Sequence, residues 1–469
     1  MKYFVAGLFF FLASCAQIPS AGLAAKGVAV DLMVLGDHVV TMNPQNLVVE
    51  SGAVVIDDGE IKDVGSEVEM RRRYAASEVL AGKGRVVLPG LVNGHSHAAM
   101  TLLRGIADDL SLYEWLNEYI FPAEVAFVDE SFVRIGTELA CWEMIRGGTT
   151  TFVDMYYFPD AIAEVVERCG MRALISTTVI DQKSPDGLDA ADSLANGKAY
   201  VARWKNRNPR ITPILGPHAS YTLDAEQLRA TRSSARALGV GISIHVAESP
   251  FELQYSKDTY GMTSINFLES IGFFEGPTIA AHVVWPTDEE IKILATRGVG
   301  VIHNPTSNMK TAAGVSPVSK MLEAGVRMGL GTDGAASNND LDMWEEMRLA
   351  ALLQKVTQMD PELLSATEVL TMATRGGAEA IGLGAVIGSL EVGKRADLIQ
   401  IAFDDVHHVP SYNVVSHLVY VTDEQDVETV VIDGKVVMKN KALLTINATK
   451  VREAANALAK EIQRSLDAR

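Results

Sequence analysis

Eight short apolar segments recur along the middle of the sequence, and they constrain its fold more than any other feature. Each is rich in Val, Ile or Thr and apolar on both faces, as expected of parallel strands that are covered on both sides. They lie at residues 86–91, 149–153, 172–180, 211–215, 241–245, 278–284, 298–303 and 327–332. Segments with helical periodicity, such as 131–146 and 288–296, separate them. The alternation predicts an α/β fold of the (β/α)8 barrel type, whose chemistry lies at the carboxyl ends of its strands.

Polar side chains follow several of these strands at the point where each ends. His95 and His97 follow the first strand, and because alternate side chains of extended backbone share a face, they can hold one cation together. A pair of histidines with this spacing can also be an ordinary polar loop, but other strands end in the same way. His218 follows strand four, His245 and Glu248 strand five, His282 strand six and Asp333 strand eight. The barrel therefore predicts that all of them face one mouth.

Both ends of the chain predict a second, smaller structure. Residues 31–40 and 53–65 read as short strands with an Asp-Gly turn, and 427–438 repeats that style. The simplest arrangement is a β-sandwich built from both chain ends, with parts at 27–85 and 386–445 flanking a barrel at 86–385. Residues 446–469 form a C-terminal helix whose apolar stripe docks on the body. That stripe consists of Val451, Ala455, Leu458, Ile462 and Leu466.

The N-terminus resembles the signal peptide of a bacterial lipoprotein. One positive side chain precedes an apolar stretch that is too short for a mature membrane span, and Leu12-Ala13-Ser14-Cys15 closes it. The resemblance implies removal of residues 1–14, a lipid on Cys15 and an exported protein held at a membrane, facing the periplasm or the outside. An ordinary signal cleaved near residues 21–25, giving a soluble periplasmic protein, is the alternative.

Charge and the remaining polar residues narrow the partners. A formal charge of −18 argues against nonspecific binding to nucleic acid or to an anionic bilayer. We expect a small-molecule substrate, a homo-oligomer and a membrane contact only through Cys15. Cys141 and Cys169 have no metal-ligand spacing; buried thiols are the simplest interpretation, and a bridge between them stays open. His407 and His408 lie in a polar stretch and are expected to face solvent.

Six sequence blocks together carry a family resemblance. They are LPGLVNGHSHAAMTLLRG at 88–105, FPAE at 121–124, GPHASY at 216–221, HVAES at 245–249, HNPTSNMKTAAGVSPV at 303–318 and GTDGAASNNDLDMWEEM at 331–347. From about residue 31 to 438 the chain resembles the 5-methylthioadenosine/S-adenosylhomocysteine deaminases of the amidohydrolase superfamily, in the branch that also includes triazine hydrolases. The resemblance implies hydrolysis of the 6-amino group of an adenine nucleoside.

The residue types fit that chemistry. His95, His97, His245 and Asp333 suit one divalent ion with an open position for water. Zn²⁺ is the best candidate, with Fe²⁺ or Mn²⁺ possible, because nitrogen and oxygen ligands discriminate weakly among them. Asp333 can accept a proton from the water and Glu248 can protonate a ring nitrogen.

Three further residues complete the predicted site. His282 can hydrogen-bond the attacking oxygen or help the departing ammonia. By resemblance, Glu124 binds the ribose hydroxyls and His218 contacts the sugar or its 5′ substituent. Glu248 and Asp333 also contact the substrate. His303 could simply turn the chain after strand seven and is left out of the site.

Other functions remain open at this stage. The same metal site could hydrolyse another amino- or chloro-substituted azine or purine, as triazine hydrolases and guanine or cytosine deaminases do, and a lipid-anchored binding protein without catalysis is a third reading. Relatives that handle S-adenosylhomocysteine have arginines near the end of strand three, whereas here that end reads Ser176-Thr177-Thr178-Val179-Ile180 and only Lys183 could substitute. This departure favours methylthioadenosine or adenosine.

Overall fold

The computed structural model describes residues 1–3 and 27–467 of the chain. Its strands are β1 (Val28–Val40), β2 (Val48–Asp57), β3 (Glu60–Ser66), β4 (Tyr74–Leu80), β5 (Arg85–Pro89), β6 (Leu91–Ser96), β7 (Thr149–Tyr156), β8 (Arg172–Val179), β9 (Ile211–Pro217), β10 (Ile242–Val246), β11 (Thr278–His282), β12 (Gly300–His303), β13 (Arg327–Leu330), β14 (Leu398–Ala402), β15 (Val427–Ile432), β16 (Lys435–Lys439) and β17 (Ala442–Leu443). Its α-helices are α1 (Glu67–Arg73), α2 (Leu112–Glu114), α3 (Phe121–Phe127), α4 (Glu130–Arg146), α5 (Pro159–Cys169), α6 (Ala190–Trp204), α7 (Ala225–Leu238), α8 (Pro250–Tyr260), α9 (Ser264–Ser270), α10 (Asp288–Arg297), α11 (Pro305–Lys310), α12 (Val318–Glu323), α13 (Met343–Gln358), α14 (Ala366–Ala373), α15 (Arg375–Ala380), α16 (Val414–Tyr420) and α17 (Ala448–Asp467). Shorter helical turns lie at Ala98–Leu103, Trp115–Ile120, Val406–His408 and Glu424–Asp426.

Strands β6 to β13 close into a parallel barrel in chain order, with helices between them. The barrel closes where β13 pairs with β6, with Leu330 opposite Asn93. Local sequence signals set the helix limits: the capping boxes Asp224/Gln227 and Thr287/Glu290 begin α7 and α10. Both helices end at a glycine in the left-handed region, so that the chain can turn back into the next strand. The predicted (β/α)8 barrel is confirmed.

The bounds predicted for the first barrel strand, 86–91, are wrong. Arg85–Pro89 is β5, which pairs with β1 and β14 in the flanking sheet, and the barrel strand begins at Leu91. Gly90 separates the two: its N–H bonds to the carbonyl of Asp397, whereas that of Leu91 bonds to Gly148. One apolar run therefore serves two structures, and the sandwich extends past residue 85 to Pro89.

The flanking sheet is a small β-sandwich assembled from both chain ends, as predicted. The strands hydrogen-bond in the order β17-β16-β15-β14-β5-β1-β2-β3. The long strand β1 also pairs with β4 through its first half, residues 28–34, and with β5 through residues 38 and 39. Two Asp-Gly turns, Asp58-Gly59 and Asp433-Gly434, have positive φ at both residues, which is the geometry that tight hairpins need. Side chains from both ends of the chain share one core, including Val34, Ile56, Leu398 and Val431.

A buried ion pair joins the closed, N-terminal face of the barrel to the sandwich. Arg172, the first residue of β8, donates to both oxygens of Asp397 at 2.7 and 3.1 Å and to Asp433 at 3.2 Å. The side chains of Arg172 and Asp397 are only 4% and 2% exposed. Neither charge reaches water, so each depends on the other.

Replacing Arg172 with methionine is expected to lower the free energy of unfolding by about 3–5 kcal/mol, because Asp397 is left buried without its partner. Denaturant unfolding measures the effect. Arg134, which pairs with Glu130 and Glu164 at the surface, is the matched control, and Arg134→Met is expected to cost less than about 1 kcal/mol. Equal costs for the two variants would contradict the argument.

The C-terminal helix docks on the barrel as predicted. Val451, Ala455 and Ile462 of α17 are buried, and Arg452 lies over the ring of Trp142 on α4 at 5.2 Å. Cys141 and Cys169 are buried free thiols. None of the helices in the described part of the chain is long and apolar enough to cross a membrane. Cys15 and residues 4–14 of the predicted signal peptide lie outside the described residues.

Candidate active site

The turn after β6 is built to aim two histidines into the barrel mouth. His95 lies inside the strand and His97 directly after it. The buried carboxylate of Asp154 on β7 accepts the N–H of Ala98 at 2.6 Å, and the hydroxyl of Ser96 donates to the carbonyl of Val153 at 2.9 Å. These bonds tie the turn to the neighbouring strand and fix the direction of both rings.

The buried amide of Asn93 ties the segment after β13, the eighth barrel strand, to β6, the first barrel strand. Asn93 accepts the N–H of Thr332 at 3.1 Å and donates to its hydroxyl at 2.7 Å. The next residue, Asp333, donates its own N–H to the carbonyl of His95 at 3.0 Å. Asp333 is therefore held directly beside the first-strand histidines.

Backbone carbonyls orient two of the three predicted imidazole ligands. Nδ1 of His97 lies 2.6 Å from the carbonyl of Met155, and Nδ1 of His245 lies 2.8 Å from that of His218. A carbonyl only accepts, so Nδ1 carries the hydrogen in each ring. Nε2 is left free for a cation, which is the usual arrangement of metal-binding histidines.

The predicted metal ligands converge. Nε2 of His95 and Nε2 of His97 lie 3.3 and 3.1 Å from Oδ1 of Asp333, and Nε2 of His245 lies 3.4 Å from that of His97. Both ring nitrogens of His95 are buried without a hydrogen-bond partner among the described residues. The hydroxyls of Ser307 and Ser337 hold Oδ2 of Asp333, so Oδ1 points into the cluster. Three nitrogens and one carboxylate oxygen around one point fit a divalent metal.

The electrostatics of the cluster also suit a cation. Burial opposes ionisation of Asp333, but the close ring nitrogens of His95 and His97 outweigh it and hold its pKa well below the usual range. Burial likewise opposes protonation of His97, yet Asp333 and the carbonyl of Met155 raise its pKa to about 9. Burial lowers the pKa of His95 to about 4, and it also holds the pKa of His245 well below its usual value. The cluster therefore combines the carboxylate of Asp333 with neutral imidazoles at His95 and His245, the ligand forms that metals require, and a bound metal ion would take the place of the proton that Asp333 favours on His97.

Glu248 and His282 face each other beside this cluster. Nε2 of His282 lies 3.7 Å from Oε1 of Glu248, and its Nδ1 lies 2.9 Å from the amide oxygen of Asn308. That Nε2 has no hydrogen-bond partner and lies in one group with ring nitrogens of His95 and His245. Burial, followed by the charges of Asp333 and Glu252, raises the pKa of Glu248 well above its usual value. Glu248 is thus a buried carboxyl group whose surroundings favour its protonated form, next to a metal site.

Strained backbone collects at the ends of these strands. Ala247, His282, Val283 and Asp333 have φ values between 44° and 72°, in the left-handed region that residues with a Cβ seldom adopt. Such conformations persist where surrounding contacts enforce them, and they cluster at functional sites. The strained residues lie at or just after the ends of β10, β11 and β13, the strands that lead to Glu248, His282 and Asp333.

Glu124 reaches the site from a helix. It lies on α3 in the long connection after β6, it is buried, and its Oε2 accepts the hydroxyl of Tyr157 at 3.1 Å. Its Oε1 is buried without a partner. Burial raises the pKa of Glu124 to about 7, against the opposing effects of the nearby Tyr156 hydroxyl, the charge of His97 and the hydrogen bond from Tyr157. One oxygen is therefore anchored and the other is available to a ligand.

One pocket unites these groups. Its polar lining consists of His97, Glu124, Tyr156, Tyr157, Thr178, His218, Tyr221, His245, Glu248, His282 and Asp333. His218 packs on the ring of His245 with 4.8 Å between centroids. Every residue that we predicted for the site lies in this pocket except His95, which is buried beneath it. Three pocket residues were not predicted from the sequence: Tyr156 and Tyr157 at the end of β7, and Thr178 near the end of β8. Their position at the carboxyl ends of barrel strands could have marked them as site residues.

An adjoining groove widens the pocket towards solvent. We name it the aromatic mouth, and it is formed by Tyr113, Phe121, Tyr221, Phe251 and Tyr255. Two carboxylates, Asp181 and Asp224, also line it. Among the described residues that line the pocket and the mouth there is no lysine or arginine, and Lys183 is not one of them.

Comparison with known proteins identifies the group to which this arrangement is similar. A family profile described as "Amidohydrolase family" matches residues 86–437. The chain is 44% identical over 433 residues to the 5′-deoxyadenosine deaminase of Methanosarcina mazei, covering 92% of this chain and 98% of that protein. It is equally similar, at 44% over 433 residues, to a 5-methylthioadenosine/S-adenosylhomocysteine deaminase of Syntrophobacter fumaroxidans, with the same coverage.

A solved structure has the same fold. It is an adenosine deaminase from Xanthomonas campestris with bound Zn, 36% identical in sequence, and the superposition has a TM-score of 0.91. The match covers 93% of this chain and all of that one. The similarity therefore extends over both the barrel and the flanking sheet.

Proposed function

The chain belongs to the amidohydrolase family, and from that premise we propose that it is a metal-dependent hydrolase that deaminates adenine nucleosides. Water replaces the 6-amino group of the purine, giving the inosine analogue and ammonia. One observation carries the proposal. A buried carboxyl group whose protonated form is favoured, Glu248, lies in one pocket with the predicted metal ligands His97, His245 and Asp333 and with a buried carboxyl group, Glu124, that has one oxygen free for ribose hydroxyls.

Water activation falls to the cluster at the barrel mouth. His95, His97, His245 and Asp333 would hold the metal, which when bound can lower the pKa of a coordinated water from 15.7 to about 7. Asp333 lies among these ligands, so its carboxylate can take the proton that the water gives up. Ser307 and Ser337 keep Oδ2 of Asp333 in place while Oδ1 faces the reacting centre. Zn²⁺ is the metal that this donor set favours, and elemental analysis of the purified protein tests it.

Glu248 and His282, which lie beside the metal cluster, serve ring protonation and the attack of oxygen. Glu248 donates its proton to a purine ring nitrogen as oxygen adds to the carbon that bears the amino group, so no ring anion builds up. His282 hydrogen-bonds the incoming oxygen through Nε2, since its Nδ1 is engaged by Asn308. The proton taken by Asp333 is returned to the amino group, the carbon–nitrogen bond breaks and ammonia leaves, while the proton of the added hydroxyl returns to Glu248 as the keto group forms. Substrate plus water thus equals product plus ammonia.

The Glu124→Gln variant tests whether the substrate is a nucleoside. The amide keeps the size of the side chain but cannot carry the negative charge that Glu124 bears above its pKa of about 7, and hydrogen bonds from ribose hydroxyls to a charged acceptor contribute about 1.5–3 kcal/mol. We expect kcat/KM for 5′-deoxyadenosine to fall by roughly 10- to 100-fold, measured by ammonia release. The rate with a ring-only substrate such as adenine or an aminotriazine should not change.

The opposite pattern would favour the alternative reading of a ring hydrolase. In that case Glu124→Gln would spare the turnover of nucleosides, or a ring-only substrate would be turned over faster than any nucleoside by the unaltered enzyme. Glu118, an exposed residue of the same connection, is the control. Glu118→Gln should leave both rates unchanged.

The aromatic mouth bears on the 5′ substituent that the enzyme prefers. Aromatic rings accept an apolar methylthio or methyl group, whereas the carboxylate of S-adenosylhomocysteine meets Asp181 and Asp224 and no cation in the described lining. We expect kcat/KM for methylthioadenosine or 5′-deoxyadenosine to exceed that for S-adenosylhomocysteine by about tenfold, or ~1.4 kcal/mol. Asp181→Arg should narrow the ratio, and Lys183→Ala, outside the lining, should not. A ratio that favours S-adenosylhomocysteine would contradict this preference.

We further propose export with a lipid on Cys15 as the anchor. The support is the Leu12-Ala13-Ser14-Cys15 sequence after a short apolar stretch. Labelling of cells with a radioactive fatty acid should mark the unaltered protein and not Cys15→Ser. Absence of label from the unaltered protein would leave the ordinary cleaved signal as the explanation.

A further inference from the structure

A second histidine cluster lies outside the barrel, in the connection between two strands of the sandwich. The chain leaves the sheet at Ala402, the end of β14, and returns at Val427, the start of β15. His407 and His408 belong to the helical turn that follows β14, and Asp426 is the last residue of the turn before β15. The cluster thus joins the two ends of the connection, which holds α16. It is separate from the pocket described above.

The three side chains converge on one point. Nε2 of His407 lies 3.1 and 3.0 Å from the two oxygens of Asp426, and Nε2 of His408 lies 3.3 Å from Oδ2. One ligand atom from each residue lies within 4.8 Å of the others. In the barrel mouth, Nε2 of His95 and His97 lie 3.3 and 3.1 Å from Oδ1 of Asp333. The flanking cluster therefore repeats the spacing of the catalytic one.

Burial and packing fix the cluster in place. His408 is 1% exposed, although its sequence context predicted a solvent-facing residue; that prediction is wrong. Its ring stacks on Phe403 with centroids 4.2 Å apart and on His417 at 5.9 Å. His407 is partly exposed, with a side chain 36% accessible, so the cluster has one side open to solvent. A cation could enter there without any movement of the core.

The carboxylates around the cluster create a negative potential that favours a bound cation. Asp426 is buried, and its ion pairs in the described part of the chain are with His407 and His408 alone. Asp405 and Asp423 add negative potential at His407. Oδ2 of Asp426 also accepts the N–H of Asp423 at 3.0 Å, but the charge of a buried carboxylate still needs a positive partner, which here is either a protonated histidine or a metal ion.

We propose that His407, His408 and Asp426 form a second divalent-cation site, suited to Zn²⁺. Two imidazole nitrogens and one carboxylate oxygen are ligands that zinc accepts, with water completing the coordination. The ion would clamp the two ends of the connection between β14 and β15 and stabilise the sandwich. It has no part in the deamination, so this proposal does not depend on the proposed function.

Zinc stoichiometry tests the site. Full-length protein is saturated with zinc chloride, desalted and analysed by elemental mass spectrometry. We expect two zinc ions per chain in the unaltered protein and one in His407→Gln, with equal deaminase activity in both. His38→Gln, at a histidine on β1 away from both clusters, should retain two.

A second measurement follows stability and not metal content. Zinc titration of the unaltered protein, followed by thermal unfolding, should show a further rise in melting temperature after the first equivalent, and His407→Gln should lack that rise. One zinc per chain at saturation in the unaltered protein, or equal zinc in the unaltered protein and His407→Gln, would overturn the proposal. In either case Asp426 would be neutralised by a protonated histidine instead.

Discussion

Replacement of Glu248 with glutamine is expected to lower kcat by about 10³-fold, the middle of the range for general acid catalysis. The amide occupies the same volume and can still donate a hydrogen bond, but it has no proton to transfer to the purine ring. KM should change little, because the ribose and base contacts through Glu124, His218 and the aromatic mouth remain. Steady-state kinetics with 5′-deoxyadenosine or methylthioadenosine measure both parameters.

The dependence on pH separates proton transfer from mere packing. Burial and the nearby carboxylates raise the pKa of Glu248, so its acid form persists above the pH at which an exposed glutamate ionises. Only the protonated form donates, so activity should be present below this raised pKa and be lost as pH rises through it. In Glu248→Gln the residual rate should lack that loss. A mutant rate with the unaltered alkaline limb would mean that another group is the acid.

A matched control is a buried glutamate that does not line the pocket. Glu290 on α10 closes a capping box with Thr287, and glutamine serves equally well in that position. Glu290→Gln should therefore leave kcat and the pH profile unchanged. If it impairs catalysis as strongly as Glu248→Gln, the effect of Glu248 arises from buried charge in general and not from its place in the pocket.

The strand-end residues of the site could be placed from the sequence because two simple regularities coincide. Apolar runs of strand length mark the barrel, and parallel strands bring all carboxyl ends to one face. His95, His245, His282 and Asp333 each lie at or just after such an end, and the structure gathers them there. No long-range information is needed for that step.

Residues on connections between the strands follow no comparable rule. Glu124 lies on α3, after a long loop, and nothing in its local pattern shows that it turns into the barrel; only the family resemblance pointed to it. Its partners Tyr156 and Tyr157 end strand two, but tyrosine at a strand end is equally compatible with packing. The fit of these three side chains is a tertiary property.

The error at the first barrel strand has a similar cause. Residues 86–92 form one apolar run, and the break at Gly90 depends on distant partners. A Cβ at Gly90 would lie 2.2 Å from the side chain of Thr150 on β7, so only glycine lets the chain pass from sheet to barrel there. The pattern of apolar residues shows that two strands are possible but not where the pairing changes. The burial of His408 was missed for the same reason, since Phe403 and His417 are what cover it.

Replacement of Asp333 with asparagine is expected to have the second large effect on catalysis. Asp333→Asn removes the only negative charge within the group formed with His95 and His97, and it also removes the acceptor for the proton of the water. We expect kcat/KM to fall by about 10⁴-fold or more, the upper end for a base, since a metal ligand is lost as well. The metal content of the purified variant, measured together with its rate, separates the two losses.

Ser337→Ala is the graded comparison. It keeps the carboxylate but removes one of the two hydroxyls that hold Oδ2, so Asp333 stays charged and less firmly oriented. Loss of such a supporting bond typically costs 10- to 100-fold in metal affinity or activity, so the effect should be about that size. An Asp333→Asn enzyme with full metal content and an unaltered rate would show that the three histidines suffice and that the proton goes elsewhere. Full metal content with a rate lowered 10⁴-fold would assign Asp333 to proton transfer, whereas parallel loss of metal and rate would assign it first to holding the metal.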